Sequence, residues 1–344
     1  MLGQTEPPDA AIPMAHPRRA GLSKFQAWLG IVLSLACLVW LICKTDWAGV
    51  WVALARVDYR LAVLALLLNL GSVLLRAARW RLMFRVPRIP PFGKLVAALL
   101  VGQAVNVLAP ARLGDLARAT LVGTCETSYT LGTLMVEITL DLLMLAVLVV
   151  LLLSWATLPA WWQGSGEALV AISAVVLAAV VALVIGRRWV ARVLEQLAAK
   201  WHHPWIRRIL AAAGQFLLSL DTLGQPVRLC SALAWSGSIW ISYAAVNYIL
   251  LGAIGESPSV LAALFLLVVL QLGVAIPSSP GRLGVFHYLC VQALAVFGVG
   301  GPQALSYAFI LHLISVVLPM AMGAALAWRL GVQFWNAPQS PEEA

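Results

Sequence analysis

Pro110-Ala111-Arg112-Leu113-Gly114 interrupts an apolar run over residues 94–127, and Pro280-Gly281-Arg282-Leu283-Gly284 interrupts a second run over 259–298. A helix that meets Pro and Gly in its middle loses a backbone donor, gains a flexible joint and breaks there. Both interruptions carry an arginine in otherwise apolar surroundings. Outward from them lie uninterrupted apolar runs near residues 25–43, 61–83, 131–157, 167–186, 229–252 and 304–328. Each approaches or exceeds the roughly 20 residues that a helix needs to cross a bilayer. With 62% hydrophobic and only 11% charged residues, a chain of 344 residues lacks the polar surface to coat a soluble globule of its size.

The placement of charge orders these runs. The 23 Lys and Arg outnumber the 14 Asp and Glu, for a net charge of +9, but they flank apolar runs instead of forming a continuous groove, which excludes a nucleic-acid partner. Arg18, Arg19 and Lys24 put the N-terminus in the cytoplasm, and Arg76, Arg79, Arg81, Arg85, Arg88 and Lys94 return the chain there. The stretch with Arg187, Arg188, Arg192, Lys200, Arg207, Arg208 and Arg228 is a third cytoplasmic segment, whereas 157–166 carries no Lys or Arg and reads as external. An odd number of crossings must then separate residue 94 from residue 155. Two apolar segments fill that interval, so the broken one enters and turns back while 131–157 crosses. The same parity, with Arg329 at a cytoplasmic end, makes 259–298 turn back from the opposite side.

The expectation is an all-α integral membrane protein with about six crossing helices and two re-entrant helical hairpins in an inverted repeat. The first half is 25–157, with its hairpin near 94–127. The second is 158–335, with its hairpin near 259–298. Pro110, Gly114, Pro277, Pro280, Gly281 and Gly284 form the hairpin breaks. Residues 1–24 form an N-terminal tail and 336–344 a C-terminal tail, both cytoplasmic. In 187–228, Trp189, Leu194, Leu197, Trp201 and Trp205 mix with the basic residues as in an amphipathic helix lying on the inner leaflet.

Arg112 and Arg282 are the leading functional candidates. An arginine at membrane depth costs on the order of 3 kcal/mol unless paired or hydrated, and its planar fork suits two oxygens of a phosphate. The competing reading pairs each with a carboxylate. Asp115 and Arg118 follow Arg112 at helical spacing and orient it or bridge to each other. Glu137 and Asp141, four residues apart, share a helical side. They either relay protons or a cation or, as is favoured here, neutralise Arg112, Arg118 or Arg282. Asn106 lies in the first hairpin. Asn69, Ser72 and Asn247 suit helix-to-helix hydrogen bonds. Arg76 and Arg79 either attract anionic headgroups or anchor topology. His287 is either a titrating group or a packing residue.

Cys37, Cys43, Cys125, Cys230 and Cys290 form no CxxC and have no His at ligand spacing, so neither a metal site nor a disulfide framework is signalled. A nucleophilic triad and a nucleotide-binding loop are also lacking, so the expectation is not an enzyme and has no cofactor.

Arg76-Ala77-Ala78-Arg79-Trp80, the stretch from Asn106 to Arg118 with Pro110, Arg112, Gly114 and Asp115, the acids Glu137 and Asp141, and Pro277-Ser278-Ser279-Pro280-Gly281-Arg282-Leu283-Gly284 together resemble the lysylphosphatidylglycerol synthase transmembrane family, over about residues 25–330. That family usually has Glu where Asp115 stands, often Arg where Ile138 follows the acid, and frequently Glu near His287. The resemblance implies a flippase-like transporter of the bacterial inner membrane that moves a lipid with an anionic or phosphate-containing headgroup. Lipid headgroup contacts then fall to Arg112, Arg282, Asn106, Arg118, Arg76 and Arg79, and charge balance or proton coupling to Asp115, Glu137, Asp141 and His287. The alternative is a membrane subunit that presents a lipid to a separate glycosyl- or aminoacyl-transferase partner and moves nothing itself.

Overall fold

The structure is a computed structural model that describes residues 20–84, 89–108, 113–123, 127–155, 225–273 and 279–330, with scattered positions between 171 and 213. Its elements are all helical: α1 (Ala20–Lys44), α2 (Trp47–Ala55), α3 (Tyr59–Arg81), α4 (Phe92–Leu108), α5 (Leu113–Val122), α6 (Thr127–Trp155), α7 (Pro226–Ala253), α8 (Val260–Gly273), α9 (Val285–Ala295), α10 (Gly301–His312) and α11 (Leu318–Arg329). A 3-10 turn covers Pro280–Arg282, and a π turn, Leu313–Val317, joins α10 to α11. Asp58 starts α3 by accepting a hydrogen bond from Arg60 N, and Pro226 and Pro302 stand in the first turns of α7 and α10, where no amide donor is needed.

Among the described residues four helices are long and apolar enough to cross a membrane, namely Tyr59–Arg81, Tyr129–Leu153, Pro226–Ala253 and Gly301–Arg329; α1 with α2, bent by 87°, makes a fifth if counted as one span. Most of the expected sixth crossing, 167–186, lies outside the described residues, as do 1–19, 336–344 and most of 187–228; the remainder of the expected N-terminal tail, 20–24, is the first part of α1. Helix α2 was not foreseen. It turns apolar Trp51 and Val52 outward and packs Val50 inward against α10.

Both Pro- and Gly-broken runs fold as pairs of short helices, α4 with α5 and α8 with α9. At 1.5 Å per residue these helices are about 15–26 Å long, short of the roughly 30 Å hydrocarbon core. Small residues let α4 and α5 touch. A Cβ on Gly114 would fall on the Gly102 carbonyl oxygen and 2.6 Å from Asn106 Oδ1, and one on Gly102 would collide with the stem of Arg118. The side chain of Asn106 accepts from Gly114 N at 2.8 Å, so a residue of α4 caps the first turn of α5.

Contacts in the two halves come in matched sets. Helix α3 touches α4, α4 touches α5 and α5 touches α6; likewise α7 touches α8, α8 touches α9 and α9 touches α10. Across the halves, α4 packs on α11 as α8 packs on α6. The central pair is α3 with α7. Asp58 N donates to Ala253 O, and Arg79 NH1 donates to Ser236 Oγ, so the start of α3 meets the end of α7 and the two run antiparallel. Charge parity placed residues 58 and 253 on one side of the membrane, and this hydrogen bond joins them.

The expected single crossing at 304–328 contains a discontinuity with a clear cause. Leu318 N bonds back to Leu313 O, five residues away, and Pro319 has no N–H, so the carbonyls of Ile314 and Ser315 lose their helical donors. Asn69 Nδ2 donates to Ile314 O at 2.9 Å, and Gln103 Nε2 to Ser315 O at 3.2 Å. Asn247 donates to Ala263 O and accepts from Tyr307 Oη. Asn69 and Asn247 thus make the helix-to-helix bonds expected of them, while Ser72 bonds within its own helix, to Asn69 O.

Candidate functional site

Around α3, α5 and α6 three arginines and three carboxylates meet. Glu137, 2% exposed, takes Arg76 NH2 on Oε1 at 3.0 Å and Arg118 NH2 on Oε2 at 2.6 Å, with Arg79 NH2 3.3 Å from Oε1. Arg79 is fully buried and grips both oxygens of Asp141, at 2.6 and 3.2 Å. Arg118 also reaches Asp115 at 3.8 Å, and its guanidinium lies 4.4 Å over the ring of Trp80. Trp80 is held in turn by its indole N–H to Thr133 Oγ1. Six isolated ions at about 2.5–3.5 kcal/mol each would outweigh the typical 5–15 kcal/mol stability of a whole protein, so this pairing is a condition of folding.

The spacing of α3 explains the cluster. Arg76 and Arg79 are three residues apart and both face Glu137; Glu137 and Asp141 are four apart and both face α3. Neutralisation, favoured from the sequence for the two acids, is what the geometry has. The expected partner Arg118 is there, and Arg76 and Arg79, which were not foreseen as partners, join it. Arg112, with Pro110 and Pro277, lies outside the described residues. Arg79 is no surface anchor. With no exposed area, it acts on any ligand only by holding Asp141 and Glu137. Among the described residues the cluster pairs three arginines with three acids, with Ile138 in place of the arginine common in the family pattern.

Against this cluster lies a cavity of about 350 Å³. Polar groups reach it from both halves: Asn69, Arg76 and Gln103 from the first, and Asn247, Gln271 and Arg282 from the second. Asn106, Asp115, Arg118 and Asp141 line it as well, so three arginines face two aspartates. The 3-10 turn Pro280–Arg282 packs on α4, which brings the broken part of the second pair to the first pair. Among the described residues the indole N–H of Trp240, a lining residue 5% exposed, and the Nε–H groups of Arg79 and Arg118 find no acceptor. Each such buried donor costs about 1–3 kcal/mol unless something accepts from it.

Arg282 is held in an unusual backbone. Its φ is +57°, after Gly281 at +77°, and Gly284 follows at +83°. For a residue with a Cβ the left-handed region costs about 1–2 kcal/mol. Three contacts fix the turn: Ser279 N donates to Ser34 Oγ of α1 at 2.8 Å, the Gly284 Cα lies where a Cβ would strike the Ser34 carbonyl, and His312 Nε2 donates to Gly281 O at 2.8 Å. His287, which the sequence offered as a titrating group, does not line the cavity. It is 4% exposed and packs against Phe309 at 5.0 Å and His312 at 4.9 Å.

Sequence reasoning missed Gln103, Ser236, Trp240, Gln271 and His312. Only Gln103 left a signal, through Pro319, which announces an orphaned carbonyl four residues earlier. Among the described residues no group of three or more His, Cys, Asp or Glu could hold a metal ion.

The family described as lysylphosphatidylglycerol synthase TM region matches residues 27–323, nearly the whole of the helical body. The chain belongs to that family. The arginines and acids of the cluster, Asn106, Gly114 and the Pro280–Arg282 turn all fall inside the matched region. Membership, with the apolar helices, makes this a multi-pass membrane protein with a function related to membrane lipids. Comparison with curated proteins and with solved structures finds no match.

Proposed function

We propose that this protein translocates a lipid with an anionic or phosphate-containing headgroup between the leaflets of the bacterial inner membrane, without chemical change to the lipid. The observation that carries the reading is the cavity itself, a polar chamber amid apolar helices, with Arg76, Arg118 and Arg282 against Asp115 and Asp141. A phosphate moved into hydrocarbon needs donors in place of its water shell, and hydrogen bonds to charged groups are worth about 1.5–3 kcal/mol each. Arg282 and the indole of Trp240 are suited to supply them, and the headgroup would restore an acceptor to a donor that lacks one. Acyl chains stay in lipid throughout.

In this reading α4–α5 and α8–α9 are the two re-entrant hairpins of an inverted repeat, related by an axis through the antiparallel α3 and α7. Both termini are cytoplasmic. Matched contacts and the meeting of the Pro280–Arg282 turn with α4 support this. Transport is preferred to catalysis because Asp141 is clamped by Arg79 and Asp115 lies beside Arg118, so neither is placed to act as a base. The alternative, a subunit presenting lipid to a separate transferase, rests on a docking face in 187–228, most of which lies outside the described residues. Native mass spectrometry of the chain released from its membrane should find a phosphatidylglycerol-class or other anionic lipid retained, and Arg282→Ala should lose it. Retention of zwitterionic and anionic lipids in their membrane proportions would contradict the headgroup assignment.

A further inference from the structure

His287 of α9 and His312 of α10 meet behind the wall of the cavity. They are 4% and 6% exposed, and their rings stand 4.9 Å apart. Phe286 joins them to the cavity: it lines that space, and its ring lies 5.8 Å from the ring of His287 and 5.1 Å from that of His312. Polar rings buried among apolar helices cost free energy that a hydrocarbon side chain of the same size would not, so packing alone does not account for two of them in contact.

His312 is tied to the backbone that presents Arg282. The carbonyl of Gly281 can only accept, so Nε2 at 2.8 Å carries the hydrogen, and in the neutral ring Nδ1 is the nitrogen left for a proton. Protonation there keeps the bond to Gly281 and makes it charge-assisted, which holds the turn with Gly281 and Arg282 at positive φ more firmly in place. The π turn begins at the next residue, Leu313, and Leu311 and Ser315 line the cavity. One imidazole thus adjoins both breaks of the second half, the 3-10 turn and the π turn.

The surrounding charges favour one proton and an anion to go with it. Two imidazolium ions 4.9 Å apart repel, so the pair takes one proton and not two. Helices α1 and α8 pack on α9, and α2, α7 and the π turn pack on α10. Their titratable groups are Lys24, Cys37, Cys43 and Lys44 on α1 and Arg228, Cys230, Tyr243 and Tyr248 on α7; α2, α8 and the π turn carry none, and α9 and α10 themselves add Tyr288, Cys290 and Tyr307. Lys24, Lys44 and Arg228 stand near helix ends, whereas Arg282 of the 3-10 turn is close enough to act on the charge of His312. None of these elements holds an Asp or Glu. A proton added beside Arg282 is therefore opposed until an anion arrives, and a phosphate on Arg282 is such an anion.

We propose that His312, with His287, holds a coupling proton that binds together with the anionic headgroup and crosses the membrane with it. The inference rests on the proposed translocation. Arg282 takes the phosphate in the cavity and His312 Nδ1 takes the proton behind Phe286, and each favours the other because linkage between two sites is reciprocal. One negative headgroup and one proton then move per cycle without net charge, and the proton gradient across the membrane supplies the driving force.

The test uses the full chain in phosphatidylcholine vesicles that hold a trapped pH-sensitive dye, with potassium and valinomycin clamping the potential at zero. Phosphatidylglycerol added to the outer leaflet and carried inward by the parent should acidify the interior by about one proton per lipid moved, and raising the pH on both sides should slow the movement. His312→Gln offers an amide donor to the Gly281 carbonyl but takes no proton, so it should lose the acidification and the pH dependence together. His287→Gln should shift the pH at which movement slows, and the parent's own ratio of protons to lipid decides the matter if a variant does not fold. Phosphatidylglycerol moved by the parent without acidification, or full acidification by a folded His312→Gln protein, overturns the inference and leaves translocation standing. A folded parent that moves no phosphatidylglycerol removes the translocation reading, and the coupling with it.

Discussion

Glu137 holds three arginines with one carboxylate, which makes it the residue on which the interior depends most. Removing one partner of a buried ion pair leaves the other uncompensated, at a cost of about 3–5 kcal/mol. Glu137→Ala should therefore lower thermal stability in detergent by about that amount, and Arg118→Met added to it should recover part of the loss, because the excess charge is then smaller. A single variant as stable as the parent would show that the cluster is hydrated and its pairing incidental. The identities of these residues were legible in the sequence, since charges within apolar runs are few. Their pairing was not. Helical spacing says which residues share a face, but only tertiary packing decides that Glu137 faces Arg76 and Arg79 of α3 in addition to Arg118 of α5.

Between elements, the first short-helix pair is set by what its glycines exclude. Gly114 sits against the Gly102 carbonyl and the Asn106 side chain, so a methyl group there has nowhere to go. Gly114→Ala should destabilise by about 1–3 kcal/mol, the usual cost of overpacking, whereas Gly71→Ala should be neutral or stabilising by up to about 1 kcal/mol. Chemical or thermal unfolding of the two purified variants checks the contrast, and equal effects would mean that the α4–α5 approach is not tight. Breaks in both apolar runs could be read from Pro and Gly because those residues act locally. Helix α2 could not, since Trp47 to Ala55 reads as a continuation of apolar chain and its 87° turn comes from packing on α10. The π turn was likewise half-visible. Pro319 carries the signal of a lost donor, which the reading of 304–328 as one crossing passed over, but that Asn69 and Gln103 bond the freed carbonyls is a fact of long-range structure.

For the molecule as a whole, the antiparallel contact of α3 with α7 ties the chain's orientation to its charge distribution. Asp46 and Ser257 must lie on one side of the membrane and Lys94 on the other if the basic loops are cytoplasmic. Single cysteines at these three exposed positions, in a background freed of native cysteine, should react with a membrane-impermeant reagent on intact cells at 46 and 257 and not at 94. Opposite reactivity of 46 and 257 would break the matched arrangement of the halves, whichever way the protein faces.

The central claim is that a lipid headgroup passes through the cavity on the guanidinium of Arg282, and Arg282→Gly tests it when thermal unfolding of the variant is measured alongside. Glycine adopts a φ of +57° without strain, so the variant should unfold at no lower temperature than the parent on account of its backbone. The decisive measurement is movement of fluorescent phosphatidylglycerol across phosphatidylcholine vesicles, followed by quenching of the outer leaflet. The parent should move phosphatidylglycerol and discriminate against phosphatidylcholine, and Arg282→Gly should be slower by about tenfold or more, equivalent to roughly 1.4 kcal/mol of lost binding. A folded Arg282→Gly protein that moves phosphatidylglycerol as fast as the parent would contradict it.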